Sequence, residues 1–263
     1  MATDSESARP VPPRWRRRAA MAARVAAVSV IALGATGKLP HLVLTQAIVS
    51  ALLSMVLAPM WLLDPGGGRW LARTRRLTPY LAVFLVAAGT IAIQLPGVVG
   101  VVSEGGPVTV LALSALLAGS IAFWSMVMPP HPPVSGIAAA GYVIIGGIPI
   151  SMPAMFLVLV PYDIYRGFHA AGATPIDGHT DQLLAGFLLF AVVKTVILAF
   201  ASILFFAAAA REETEADDDD DDRDGAPVEP PVVPGWVMEL EAGGPLAEEP
   251  APEVARELEE AGV

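Results

Sequence analysis

Residues 162–206 read YDIYRGFHAAGATPIDGHTDQLLAGFLLFAVVKTVILAFASILFF. The first half is a polar loop carrying Asp163, His169, Asp177, His179 and Asp181, with two of the chain's 4 histidines. At Leu183 it becomes an apolar run that continues to Ala210. About 20 apolar residues suffice to cross a bilayer, so this run predicts a membrane span with a polar loop at its mouth.

Working outward, five more apolar runs stand at residues 19–36, 41–63, 80–102, 107–128 and 134–161. They are continuous blocks, not periodic stripes. Hydrophobic residues make up 54% of the 263 and charged residues 16%, against about 25% charged in soluble domains. The expected fold class is therefore all-α: a polytopic transmembrane helical bundle of about six spans in a lipid bilayer, at residues 19–210. A basic segment precedes residues 19–36, as in a signal peptide. Another apolar run follows almost at once, so an uncleaved first span is the expectation.

Arg14, Arg16, Arg17, Arg18 and Arg24 precede or open the first span, Arg69, Arg73, Arg75 and Arg76 follow the second, and Arg211 closes the sixth. Lys38 and Arg166 stand on the other side. The asymmetry predicts a cell-membrane protein with both termini in the cytoplasm and outward loops at residues 38–40, 103–106 and 162–182. Residues 1–18 read as a disordered basic N-terminus. Residues 211–263, with an unbroken aspartate run at 217–222, read as a disordered acidic cytoplasmic tail. The net charge of −10 comes mostly from that tail.

The spans contain helix breakers. Gly146, Gly147, Pro149 and Pro153 predict a kinked fifth span, with milder effects at Pro59 and at Pro96-Gly97. Gly119 and Ser120 predict close helix approach in the fourth.

Lys194 lies eleven residues past Leu183, about 17 Å along a helix at 1.5 Å per residue. A charge at that depth costs at least about 2.5–3.5 kcal/mol. No Asp or Glu occurs within the six runs. The lysine therefore pairs with freed carbonyls, reaches for an interface, or meets a partner or cofactor.

In the outer loop, His169, His179, Asp163, Asp177 and Asp181, with His41 at the mouth of the second span, offer imidazole and carboxylate donors suited to copper or zinc. Met152 and Met155 are soft donors in the outer half of the fifth span. The competing reading is a hydrogen-bonded loop in which Asp181 caps the sixth helix. His131, in PPHPP, is a weaker ligand candidate. The chain has no cysteine, hence no thiolate site. It has no nucleophile elbow, phosphate loop or HExxH helix, so it does not read as an enzyme, and nothing in it points to nucleic acid.

Three stretches together resemble the CtaG family of cytochrome c oxidase assembly factors. They are HLVLTQAIVSALLSMVLAPMWLL, opening with His41; LLAGSIAFWSMVMPPHPP, with Gly119 and Trp124; and the opening stretch, with Tyr162, Tyr165, Asp181, Gln182 and Gly186. The resemblance covers roughly residues 41–206. It implies a non-enzymatic, multi-pass assembly factor of the respiratory chain that partners oxidase subunits and assists copper insertion. The chain departs from the family in having Thr45 one turn after His41, and Leu189-Phe190 after the Gly186 segment. Two other readings stand beside it: a small transporter or permease using the buried Lys194, and a structural membrane subunit.

Overall fold

A computed structural model describes residues 13–64, 78–128, 132–171 and 176–224, the last with side chains to Glu212. The basic loop with Arg69, Arg73, Arg75 and Arg76, His131, the first twelve residues and residues 225–263 lie outside the described residues. The described chain is helical, without strands. Helix α1 is Arg14–Ala35 and α2 is Val43–Trp61. Pro79–Ile93 and Pro96–Ser103 form α3 and α4, and α5 is Pro107–Ser125. Ile137–Leu159 is α6, the short Arg166–Ala171 is α7, and Gly178–Asp224 is α8.

Five of these helices are long and apolar enough to cross a membrane, and α3 with α4 makes a sixth, bent by 77°. Loop contacts decide how the bent pair counts. The α1–α2 loop and the α4–α5 loop meet backbone to backbone: Gly106 N–H donates to Ala35 O at 2.9 Å. A Cβ on Gly105 would lie 2.5 Å from Gly37 N, and both glycines have positive φ, so only glycine fits. Two loops in contact are at the same end of the bundle. The chain between them must cross twice, once as α2 and once as α3–α4, which gives six spans.

The sharp break falls elsewhere than the proline count predicts. Helix α6 runs unbroken through Pro149 and Pro153. Flanking helices close on Gly146 and Gly147, where a Cβ would meet Phe123 and Ile197 at 2.6 and 2.2 Å. The bend comes at Leu95, because Pro96 starts a new helix and Gln94 closes the old one. Helix α8 also starts five residues before the apolar run and continues through the aspartates to Asp224. The expected disordered tail thus begins as helix, since AAAAREETEA is built of helix formers.

Pro59 shapes α2. Residues Leu52–Leu57 widen into a π-turn, in which Ala58 N–H donates to Leu53 O. Ser54 O then loses its donor, because the next residue along is Pro59, which has no N–H. In a bilayer such a carbonyl must be satisfied within the protein. The fully buried Trp124 of α5 donates its indole N–H to Ser54 O at 2.8 Å. Gly119, one turn earlier on α5, lets the backbone of α3 approach: a Cβ there would sit 3.1 Å from Leu85 O.

Trp124→Phe strands Ser54 O and should lower unfolding stability by about 1–3 kcal/mol, measured by thermal unfolding in detergent. Pro59→Ala restores a backbone donor to α2. Combining it with Trp124→Phe should cost less than the two single changes added. Strict additivity would show that the pair is not coupled.

Candidate functional site

The loop at residues 162–182 folds around one imidazole. The α6–α8 connection turns at Asp163, whose Oδ1 accepts from Tyr165 N–H at 2.8 Å. This turn starts α7 and delivers His169 between two carboxylates. Nδ1 lies 2.8 Å from Asp163 Oδ2, and Nε2 lies 3.0 Å from Asp181 Oδ2. Burial disfavours a charged ring, but the hydrogen bonds to Asp163 and Asp181 and the field of both carboxylates outweigh it and raise the His169 pKa above 6.5. As imidazolium, His169 donates from both nitrogens.

Asp181 is fully buried and does more than hold His169. Its Oδ2 accepts from Val43 N–H at 2.6 Å and its Oδ1 from Leu44 N–H at 3.1 Å. These are orphan donors of the first turn of α2, whose own N-cap residue, Leu42, offers no side-chain acceptor. Asp181 therefore caps α2, not α8 as expected. The cap of α8 is Asp177, which accepts from Thr180 N–H at 3.1 Å. The sequence showed an acid near a helix start but not which helix it would serve.

Gln182 is equally buried. Its Oε1 accepts from Ile164 N–H at 3.0 Å, and its Nε2 donates to Leu157 O at 3.0 Å, with Tyr162 O and Val160 O at 3.3 and 3.5 Å. It closes the C-terminal end of α6. Two adjacent side chains of α8 thus satisfy the start of α2 and the end of α6. Tyr165, also buried, donates its hydroxyl to Gln94 O at the α3–α4 bend. Val98 N–H bonds to Leu95 O, which leaves Gln94 O free for the phenol. Burial, then Asp163 and Asp181, push the Tyr165 phenol pKa up, so it stays a neutral donor.

The predicted set divides here. Asp163, His169 and Asp181 come together with Gln182 and Tyr165. His41 is exposed, with its ring 5.9 Å from that of Phe168. Asp177 is exposed at its cap, Tyr162 is exposed, and His179 has a buried Nδ1 without a partner. Met152 and Met155 are exposed on the outside of α6. Among the described residues, no three His, Asp or Glu side chains converge on one ion position. The oxygens and nitrogens of the His169 cluster are engaged with each other and with α2, so the cluster works as a latch between them.

Lys194 stands apart, half-buried on α8, with Nζ 5.6 Å from the Phe190 ring centre. A cation over an aromatic face gains about 0.5–2 kcal/mol, less than the cost of a charge at mid-membrane.

Two features escaped the sequence reading. One is a buried polar seam on α2, where Gln46, Ser50 and Ser54 repeat at helical spacing. Gln46 Nε2 donates to Ser103 Oγ at 3.0 Å and Gln94 Nε2 to Ser50 Oγ at 3.4 Å. The i, i+4 repeat was the available signal. The other is Gly178, where a Cβ would lie 2.5 Å from both Asp163 Oδ2 and His169 Nδ1. No protein-family model, curated protein or solved structure matches the chain.

A side chain at residue 178 would prise the latch open. Gly178→Ala should lower thermal stability, whereas Gly141→Ala, where a Cβ meets nothing within 4 Å, should not. The pH dependence has a definite sign. With its folded pKa raised, His169 stabilises fully below its ordinary value of 6.5, and that stability is lost as pH rises through the folded pKa. Melting temperature should fall from pH 6 upward in the wild type and be flatter in His169→Gln. Parallel profiles would mean that the ring does not titrate in this range.

Proposed function

We propose that this chain is a multi-pass, non-enzymatic assembly factor of the cell membrane that docks a respiratory haem-copper oxidase through its outer loop cluster, with both termini cytoplasmic. The observation that supports it most is where the residues of the CtaG resemblance fall. Trp124, Tyr165, Asp181 and Gln182 each close a backbone break or helix end in a different part of the bundle. Gly186 adds close contact between α8 and α6, since a Cβ there would lie 3.0 Å from Ala154 O. Scattered motifs thus work as one interlocking set, as expected if they are inherited together. The basic residues around the first, second and sixth spans support the orientation.

The outer end offers the docking surface. His41 and Tyr162 are exposed beside a rigid latch. Copper handling, on this reading, falls to His41 and the loop around it, as transient cargo contacts. A transport reading draws on the polar seam at Gln46, Ser50, Gln94 and Ser103, where Gln94 Oε1 is buried without a partner.

The test is oxidase activity and copper content in membranes of a strain lacking this protein, with and without added copper. Activity should be lost and return with the wild-type gene. Rescue by copper assigns the protein to copper delivery and makes His41→Ala the next variant. Loss without copper rescue assigns it to docking of the oxidase. Normal activity in both media would remove the assembly reading.

A further inference from the structure

We propose that the outer face of α8 is an intramembrane docking surface for a transmembrane helix of another protein that carries an Asp or Glu at mid-bilayer depth, paired with Lys194. The inference extends the assembly reading by giving the chemistry of the partner.

Helices α1 and α8 are the least covered of the five long spans, with 22% of the most apolar stretch buried in each, against 44% for α6 and 56% for α5, and of the two α8 carries a charge near the middle of its apolar run. Its inner ridge is Ala185, Leu189, Val193 and Ile197, all buried at a spacing of four. Phe187, Phe190, Lys194 and Leu198 follow at spacings of three and four, so they form a second stripe on the same helix. Phe187 and Leu198 are each 58% exposed. The lysine therefore borders the open face.

Depth decides what can meet it. Lys194 lies eleven residues past Leu183, about 17 Å along the helix, near the middle of the bilayer core. In a hydrocarbon core about 30 Å thick the two faces are then each about 13 Å or more away, farther than an extended lysine side chain reaches, so a lipid headgroup is not the counter-charge. The Phe190 ring is a weak partner, as shown above. Within the chain there is no candidate either, because the six runs contain no Asp or Glu. A second copy of the chain would bring lysine against an acid-free helix. Charge complementarity is met by a foreign helix with a membrane-buried carboxylate, flanked by side chains that pack on Phe187 and Leu198.

The experiment uses the full chain, labelled and reconstituted in phosphatidylcholine bilayers, with synthetic poly-leucine transmembrane peptides carrying one central Glu or one central Gln. Association is read by energy transfer. The Glu peptide should bind the wild type about tenfold more tightly than the Gln peptide. That preference should vanish in Lys194→Met and persist in Lys194→Arg, with unchanged melting temperatures. Equal binding of the two peptides, or a preference that survives Lys194→Met, would overturn the proposal. In cells, a photocrosslinker at Leu198 should capture a membrane protein with an acidic residue in a span, and Lys194→Met should abolish the adduct. Capture of an oxidase subunit supports both readings. Capture of another such protein, with normal oxidase activity in the deletion strain, keeps this contact and removes the oxidase as its partner. Adducts to lipid alone overturn it.

Discussion

A backbone carbonyl or amide that loses its helical partner and is buried from water must be met within the protein, and the described residues show this at four places. Pro59 strands Ser54 O in α2. Pro96 leaves Gln94 O open at the α3–α4 bend. The start of α2 and the end of α6 leave the usual orphan groups of helix termini. Each is met by one buried polar side chain from a distant part of the sequence: Trp124, Tyr165, Asp181 and Gln182. The bundle is irregular because these residues make irregularity affordable, and each break fixes the neighbour that repairs it.

Three of the four repairs belong to one short segment, and two of them to consecutive residues of α8. Asp181 and Gln182 point to different helices, so the first turn of α8 sets the relative position of α2 and α6. His169 then holds Asp181 from the solvent side. Neutralised Asp181 would lose both the imidazolium and the favourable interaction with the α2 dipole. Asp181 thus carries a structural role in the fold, and with Gln182 it is informative about architecture.

How far the sequence carried this picture follows from what each signal depends on. Six spans were legible because hydropathy is a local, additive property. The loops that cluster at one end were legible through the alternation of the spans. The 77° bend at Leu95 exceeds the mild effect expected of Pro96-Gly97, since Pro96 opens a separate helix instead of sitting inside one. Asp181 was recognisable as a cap, but the helix it caps begins 138 residues away in sequence. Gly178 and the Pro59–Trp124 pair were invisible for the same reason, being relations between distant backbones.

Lys194 follows the opposite logic from the other polar residues. Gln46, Ser50, Ser54, Gln94 and Ser103 are all buried and bonded inside the bundle. If the lysine were one more internal repair it would lie on the Leu189–Val193 ridge, where α8 meets its neighbours. It lies one position off that ridge, beside an open aromatic face, at the depth where an unpaired charge is most costly. With Asp181 and Gln182 turned inward at its start and Lys194 at the edge of its open face, α8 is divided in two. The first turn holds the protein together, and the middle of the helix is left to be completed from outside.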